Sequence, residues 1–217
     1  MKIKSLLCSF ACAIMLIQLT GCMSASSDTA SQTTTPQTQK AQPPTIRSDS
    51  EALSTQGLQA YQQFDYDKAI ALYDKAITAD SNNYKAYSGK GIAMAMRGNA
   101  TGNKADVSSG IAYIQKALSL YPDYVPTFYD LALACKINGQ YKVAIQYFQK
   151  VIDAEPDNTW SYYGIATMYG DKGQAKEAVS YLKKAIALDP QNVKEAARTQ
   201  SHFDKIRNDA DFQALVQ

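Results

Sequence analysis

Small side chains recur along this chain at intervals that restrict it to one kind of architecture. Gly57, Gly91, Ala132 and Ala166 stand 34, 41 and 34 residues apart. Ala69, Gly110, Ala144 and Ala178 follow in a second register, and Ala76, Ala117, Val151 and Ala185 in a third, each with gaps of 41, 34 and 34. Repeat ends carry Pro122, Pro156 and Pro190, with Ser81 in that place in the first unit. A period of this size marks one supersecondary unit stacked on copies of itself. Ala69, Tyr73 and Ala76 sit at i, i+4 and i+7, one apolar face of a helix. Small residues let helices approach closely, and aromatic or branched residues fill the space between contacts. Gly139 and Gly173 fall between the helices of a unit, where a left-handed residue closes a helix. Each proline marks the end of a second helix, because it lacks the next backbone donor. No alternating, strand-like period appears in this stretch, so the predicted fold class is all-α.

These registers resemble the tetratricopeptide repeat, a helix-turn-helix unit of 34 residues. The resemblance covers residues 50–192 as four units, 50–83, 84–124, 125–158 and 159–192. The family's aromatic near the start of the first helix is met by Tyr87, Phe128 and Tyr162, with Leu53 in the first unit. Its large residue in the second helix is met by Tyr73, Phe148 and Leu182, with Ile114 in the second unit. The resemblance implies a right-handed α-α superhelix of four helix pairs. The interval of 41 adds seven residues to the second unit, within Arg97 to Ser109. That Gly-, Asn- and Ser-rich stretch is expected to form a loop between the two helices. Residues 193–217 resemble the closing helices of such arrays. A solenoid's last unit exposes an apolar face that needs a cap with a polar outer side, and Phe203, Ile206, Phe212 and Leu215 are the expected inward residues.

The N-terminus points to export. Lys2 and Lys4 precede a mostly apolar run of 14 residues, Leu6 to Leu19, short for a membrane span, which needs about 20. Leu19-Thr20-Gly21-Cys22 then resembles the bacterial lipobox. That resemblance implies a signal peptide over 1–21, cleavage before Cys22 and a diacylglycerol on its sulfur. Met23 after the cysteine is not the aspartate that retains lipoproteins in the inner membrane of enteric bacteria. The expected location is the cell envelope: the outer membrane where there are two, otherwise the outer face of the cell membrane. Residues 22–49 are rich in Ser, Thr, Gln and Pro and read as a flexible tether, with a reach of ~30 Å on random-coil scaling.

Losing residues 1–21 removes Lys2 and Lys4, so the 22 basic residues fall to 20 and match the 20 acidic ones. A neutral chain has no electrostatic footprint for nucleic acid. Cys8 and Cys12 leave with the signal and Cys22 is the lipid site, which leaves Cys135 alone and no internal disulfide. His202 is the single histidine, too few for a histidine-based metal cluster. The Gly98–Lys104 stretch has three residues between its glycines where a P-loop needs four, and Asn103 separates Gly102 from Lys104. Asp65 and Asp67 read as turn residues, without the rest of a calcium loop. No catalytic set, metal site or cofactor motif emerges, so the chain is not expected to be an enzyme.

What remains is surface. In the tetratricopeptide family the first helices line a concave groove. The matching positions here are Leu58 and Tyr61; Lys85, Ser88 and Ile92; Tyr129, Leu133 and Lys136; and Trp160 and Tyr163. The family's basic clamp for a C-terminal carboxylate is absent, since Ser54 and Leu58 occupy its first-unit positions. The resemblance implies a protein–protein scaffold that binds a peptide or helix of an envelope or assembly protein. Two alternatives stay open: a cell-wall glycan binder stacking sugars on Trp160, Tyr163 and Tyr129, and a structural homo-oligomer.

Overall fold

The structure, a computed structural model, describes residues 42–217. The signal segment, Cys22 and most of the proposed tether lie outside the described residues. What is described consists of ten α-helices and one 3-10 helix, with no strand among the described residues. Four antiparallel pairs come first: α1 (Ser48–Gln62) with α2 (Tyr66–Ala79), α3 (Tyr84–Thr101) with α4 (Lys104–Leu120), α5 (Val125–Ile137) with α6 (Tyr141–Ala154), and α7 (Thr159–Asp171) with α8 (Ala175–Leu188). Then follow α9 (Pro190–Thr199), a 3-10 segment (Ser201–Ile206) and α10 (Ala210–Val216). Each pair packs on the next, so the array is an all-α solenoid.

Every residue of the three small-residue registers is buried, from Gly57 to Ala185. The large residues between them, Tyr73, Ile114, Phe148 and Leu182, are buried too. The closest approach is in the second pair. A Cβ on Gly91 would lie 2.5 Å from the Gly110 carbonyl oxygen, and one on Gly110 would lie 2.4 Å from that of Gly91. The α3 and α4 backbones therefore touch, which explains why Gly110 stands where the other units have alanine.

The seven extra residues of that pair do not form the expected loop. Helix α3 has 18 residues against 13 in α5 and α7, and α4 has 17 against 14 in α6 and α8. Only Gly102 and Asn103 connect them, with Asn103 Oδ1 capping α4 by accepting from the Ala105 and Asp106 amides. Seven residues are close to two helical turns at 3.6 per turn. Shared between antiparallel partners, they lengthen both helices and leave the buried faces in register. The Arg97 guanidinium forks onto both oxygens of Asp106, at 2.7 and 2.9 Å, and also reaches Asp67 of α2. This ties the extension to the first unit.

The first unit lacks the repeat-end proline, and a buried amide serves there instead. Asn83 accepts from the Ala86 amide at 2.9 Å to cap α3, and its Nδ2 donates to Ser50 Oγ at 2.7 Å and Ser54 Oγ at 2.9 Å. Ser50 in turn donates to the Ala76 carbonyl at 2.7 Å. Three helices are thus joined through a satisfied polar network. The turn between helices of a unit needs a left-handed residue, filled by Gly102, Gly139 and Gly173 at φ near +73°. In the first unit that residue is Phe64, at φ +61° and 75% exposed.

The end of the array is covered by its own chain. Pro190, expected to end α8, instead opens α9 as its first residue, so the closing segment overlaps the last unit by three residues. Phe203, Ile206 and Phe212 are buried. Leu215 is only half-buried, and Val216 takes the inward place, because α10 starts at Ala210 and turns Leu215 toward its edge.

Candidate functional site

The first helices of the pairs, α1, α3, α5 and α7, follow one another along the array, and their shared face carries three adjoining depressions. The first lies between α1, α3 and α5 and has a volume of about 260 Å³. Its walls bring together five of the sequence-predicted residues: Leu58 and Tyr61 from α1, and Lys85, Ser88 and Ile92 from α3. Tyr73 of α2 reaches in from behind. Its ring fills the space beside Gly57 and Gly89, where a Cβ on Gly89 would sit 2.3 Å from the ring. Tyr124, the residue just before α5, is held there by an edge-on contact with Tyr84 at 4.9 Å and stacking with Tyr121 at 6.1 Å.

Two polar contacts set the electrostatics. Lys85 Nζ donates to Glu51 Oε1 at 2.7 Å, and this hydrogen bond raises the lysine's proton affinity above the ordinary value. Ser88 Oγ donates to Asp130 Oδ2 at 2.7 Å. Asp130 keeps partial solvent contact but is ringed by protein, and desolvation raises its pKa from 3.8 to about 7 despite the Ser88 hydrogen bond. Burial first, and the Asp130 charge next, push the Tyr61 and Tyr73 hydroxyls well above the ordinary tyrosine range. Asp130 is the group that sequence reasoning missed. The signal was present, since it is the sole acidic residue of the largely apolar α5.

The second depression lies against α5, α6 and the start of α7 and includes Tyr129 and Trp160. It shares Pro126 and Asp130 with the first, so the two are continuous. Trp160 is 44% exposed. Tyr129 meets Phe148 edge-on at 5.5 Å, so only part of its ring faces outward. The third depression holds Leu133 and Lys136 beside Met96 and His202. Lys136 is desolvated, which pushes its pKa below the ordinary value, opposed by Asp171. His202 sits between Lys136, at 3.4 Å, and the Asp171 carboxylate, at 2.9 Å.

Tyr163 is not on the open surface. It is only 6% exposed, with Trp160 edge-on at 5.5 Å and Phe203 of the 3-10 segment at 5.9 Å. Its hydroxyl is buried and has no hydrogen-bond partner among the described residues. The closing segment occupies the place on α7 that a fifth repeat would take, and it covers this residue. Cys135, a single thiol of the described chain, is buried, and burial pushes its pKa up. Among the described residues no group of three His, Cys, Asp or Glu side chains could hold a metal ion, and no helix is long and apolar enough to cross a membrane.

An all-α solenoid with an open face on its first helices is the form of a protein-interaction scaffold. Two family models described as tetratricopeptide repeat match the chain, over residues 50–83 and 137–201. The chain therefore carries tetratricopeptide repeats, and its fold is a solenoid of them. Among solved structures it is similar to MamA, with 27% identity over 67% of this chain and 81% of that one, at a TM-score of 0.54. It is similar also to MamA 41-end from Desulfovibrio magneticus RS-1, with 17% identity over 79% and 91% and a TM-score of 0.59. A third likeness is to YrrB, described as a TPR protein with an unusual peptide-binding site, with 20% identity over 75% and 80% and a TM-score of 0.53. No curated protein matches the chain.

Proposed function

We propose that this chain is a lipid-anchored scaffold of the bacterial cell envelope, binding a peptide segment or helix of a partner protein along the groove of α1, α3 and α5. The observation that carries the reading is the cavity between those helices: apolar and aromatic walls, two carboxylates, a lysine, two serines and a threonine, open to solvent. Groups of this kind, few and convergent on an apolar bed, are what a peptide site requires. The peptide-binding description of YrrB supports it by analogy of fold alone. Trp160, 44% exposed at the end of the same surface, extends the bed, and a lone tryptophan is a common binding anchor. A glycan platform is less well supported, since burial of Tyr163 leaves Trp160 without its stacking neighbour.

The anchor rests on the order of basic start, apolar run and Leu19-Thr20-Gly21-Cys22. Acylation of Cys22 would hold the groove at a membrane surface, the outer membrane where the organism has two. Stable anchoring needs more than one chain, as a diacylglycerol provides. Cys22→Ser should move the protein out of the detergent phase on temperature-induced separation; unchanged partitioning and processing would refute the anchor. Groove binding is tested by crosslinking in intact cells followed by capture. Leu58→Asp should abolish the captured partner without altering helix content, and an unchanged capture would refute the groove.

A further inference from the structure

Charge in the groove is unbalanced at one place. Asp130 faces the cavity between α1, α3 and α5, and its one side-chain hydrogen bond comes from Ser88. Among the described residues no lysine, arginine or histidine forms an ion pair with it. Lys85, the ammonium lining the cavity, is already taken by Glu51. The other Glu51 oxygen, Oε2, is buried with no hydrogen-bond partner among the described residues. Two carboxylates thus face one ammonium, with the rings of Tyr61, Tyr73 and Tyr124 around them. Leaving a carboxylate half-desolvated and without a cation opposes folding. A neutral or apolar residue at 130 would serve the solenoid better, so the charge points outward, to something that binds.

We propose that this cavity is the subsite for an arginine side chain of the bound peptide, its guanidinium paired with Asp130 and lying against the tyrosines. The inference rests on the groove reading above. A volume of about 260 Å³ admits one long side chain. Guanidinium is planar, forks onto a carboxylate, lies on aromatic faces and is weakly hydrated, so it loses less on entry than an ammonium does. Desolvation raises the proton affinity of Asp130, and a cation beside it would favour the ionised carboxylate.

Random dodecapeptides displayed on phage, selected against the full chain in detergent and against its Asp130→Asn variant, supply the test. The parent should enrich arginine-bearing peptides and the variant should lose that enrichment. In the tightest peptide, replacing the arginine by citrulline, a neutral isostere, should weaken binding to the parent tenfold or more, and to the variant less than threefold. The citrulline arm changes only the peptide, so it decides the matter even if the variant misfolds. Peptides that depend on Leu58 yet carry no arginine, or that ignore citrulline, would overturn the subsite and leave the groove standing. If no peptide is enriched, or enriched peptides are indifferent to Leu58→Asp, the groove reading falls and takes the subsite with it. Free L-arginine binding as tightly as the peptide would overturn the assignment to a peptide side chain.

Discussion

In the fourth unit the chain covers its own groove: Tyr163 of α7 lies under Phe203, and His202 bridges Lys136 and Asp171 across the rim. In the first three units no closing segment covers the equivalent faces of α1, α3 and α5: Ser88 and Ile92 are buried among the helices themselves, but Leu58 is 48% exposed and Asp130 has no cation partner among the described residues. The same repeat surface is thus covered by the chain's own closing segment at one end and by no such segment at the other. The closed end shows what the surface becomes when covered by apolar and aromatic side chains. The open end differs in its charge balance: at the closed end Asp171 is met by His202 of the cap, whereas Asp130 has no ion-pair partner among the described residues. Covering contributes stability; leaving the surface open contributes a site.

The contrast predicts opposite responses to mutation. The largest effect belongs to the closed end. Deleting residues 193–217 should lower the melting temperature steeply and cause aggregation, and Phe203→Ala alone should cost ~3–5 kcal/mol, as large aromatic truncations in cores do. A chain melting unchanged after that deletion would remove the distinction between the ends. On the exposed edge of the fourth unit, beyond the cap, Trp160→Ala should leave the melt nearly unchanged while weakening partner binding about thirtyfold, the ~2 kcal/mol of a binding anchor.

Asp130 sharpens the comparison through pH. Its carboxyl titrates near 7 in the fold against about 4 in an unfolded chain. The folded state therefore holds the proton more tightly, and stability from this group is full below about pH 4 and lost as pH rises through 7. Asp130→Asn should remove that slope and stabilise the protein at pH 8 by at least ~1 kcal/mol. Denaturant melts of both chains at pH 5 and pH 8 measure the difference, and parallel slopes would show that Asp130 is well solvated. The smallest effect concerns Phe64. Phe64→Gly relieves a left-handed backbone but loosens the unfolded chain, so a gain under ~1 kcal/mol is expected; a loss would show that the edge-on contact of the ring with Tyr66 at 6.4 Å outweighs the relief.

Much of the fold was legible because it is periodic. The registers through Gly57, Ala69 and Ala76 mark helix faces that must touch, and each of those residues is buried. Three features were not legible, each for a different reason. Helices α3 and α4 absorbed an insertion whose glycines and asparagine read locally as a loop. Gly98 is there for close packing, since a Cβ on it would meet the Asn103 carbonyl oxygen at 2.6 Å, Gly102 makes the left-handed turn, and two added turns preserve the packing faces. Tyr163 was placed in the groove by its position in the repeat, but its burial depends on Phe203, 40 residues on, and no local pattern encodes that return. Asp130 escaped notice because attention went to repeat positions, whereas its signal was the one acidic residue on a largely apolar helix.

The central claim is that the partner sits on the open face of the first three units. A photo-crosslinking amino acid placed at position 58, and separately at Val143 on α6 and Leu188 on α8, tests it most directly in intact cells. Val143 and Leu188 are exposed residues of second helices, 38% and 42% accessible. A discrete adduct from position 58, lost on adding Asp130→Asn, with none from 143 or 188, is the predicted result. Adducts from 143 or 188 with none from 58 would place the partner on the outer helices and contradict the account.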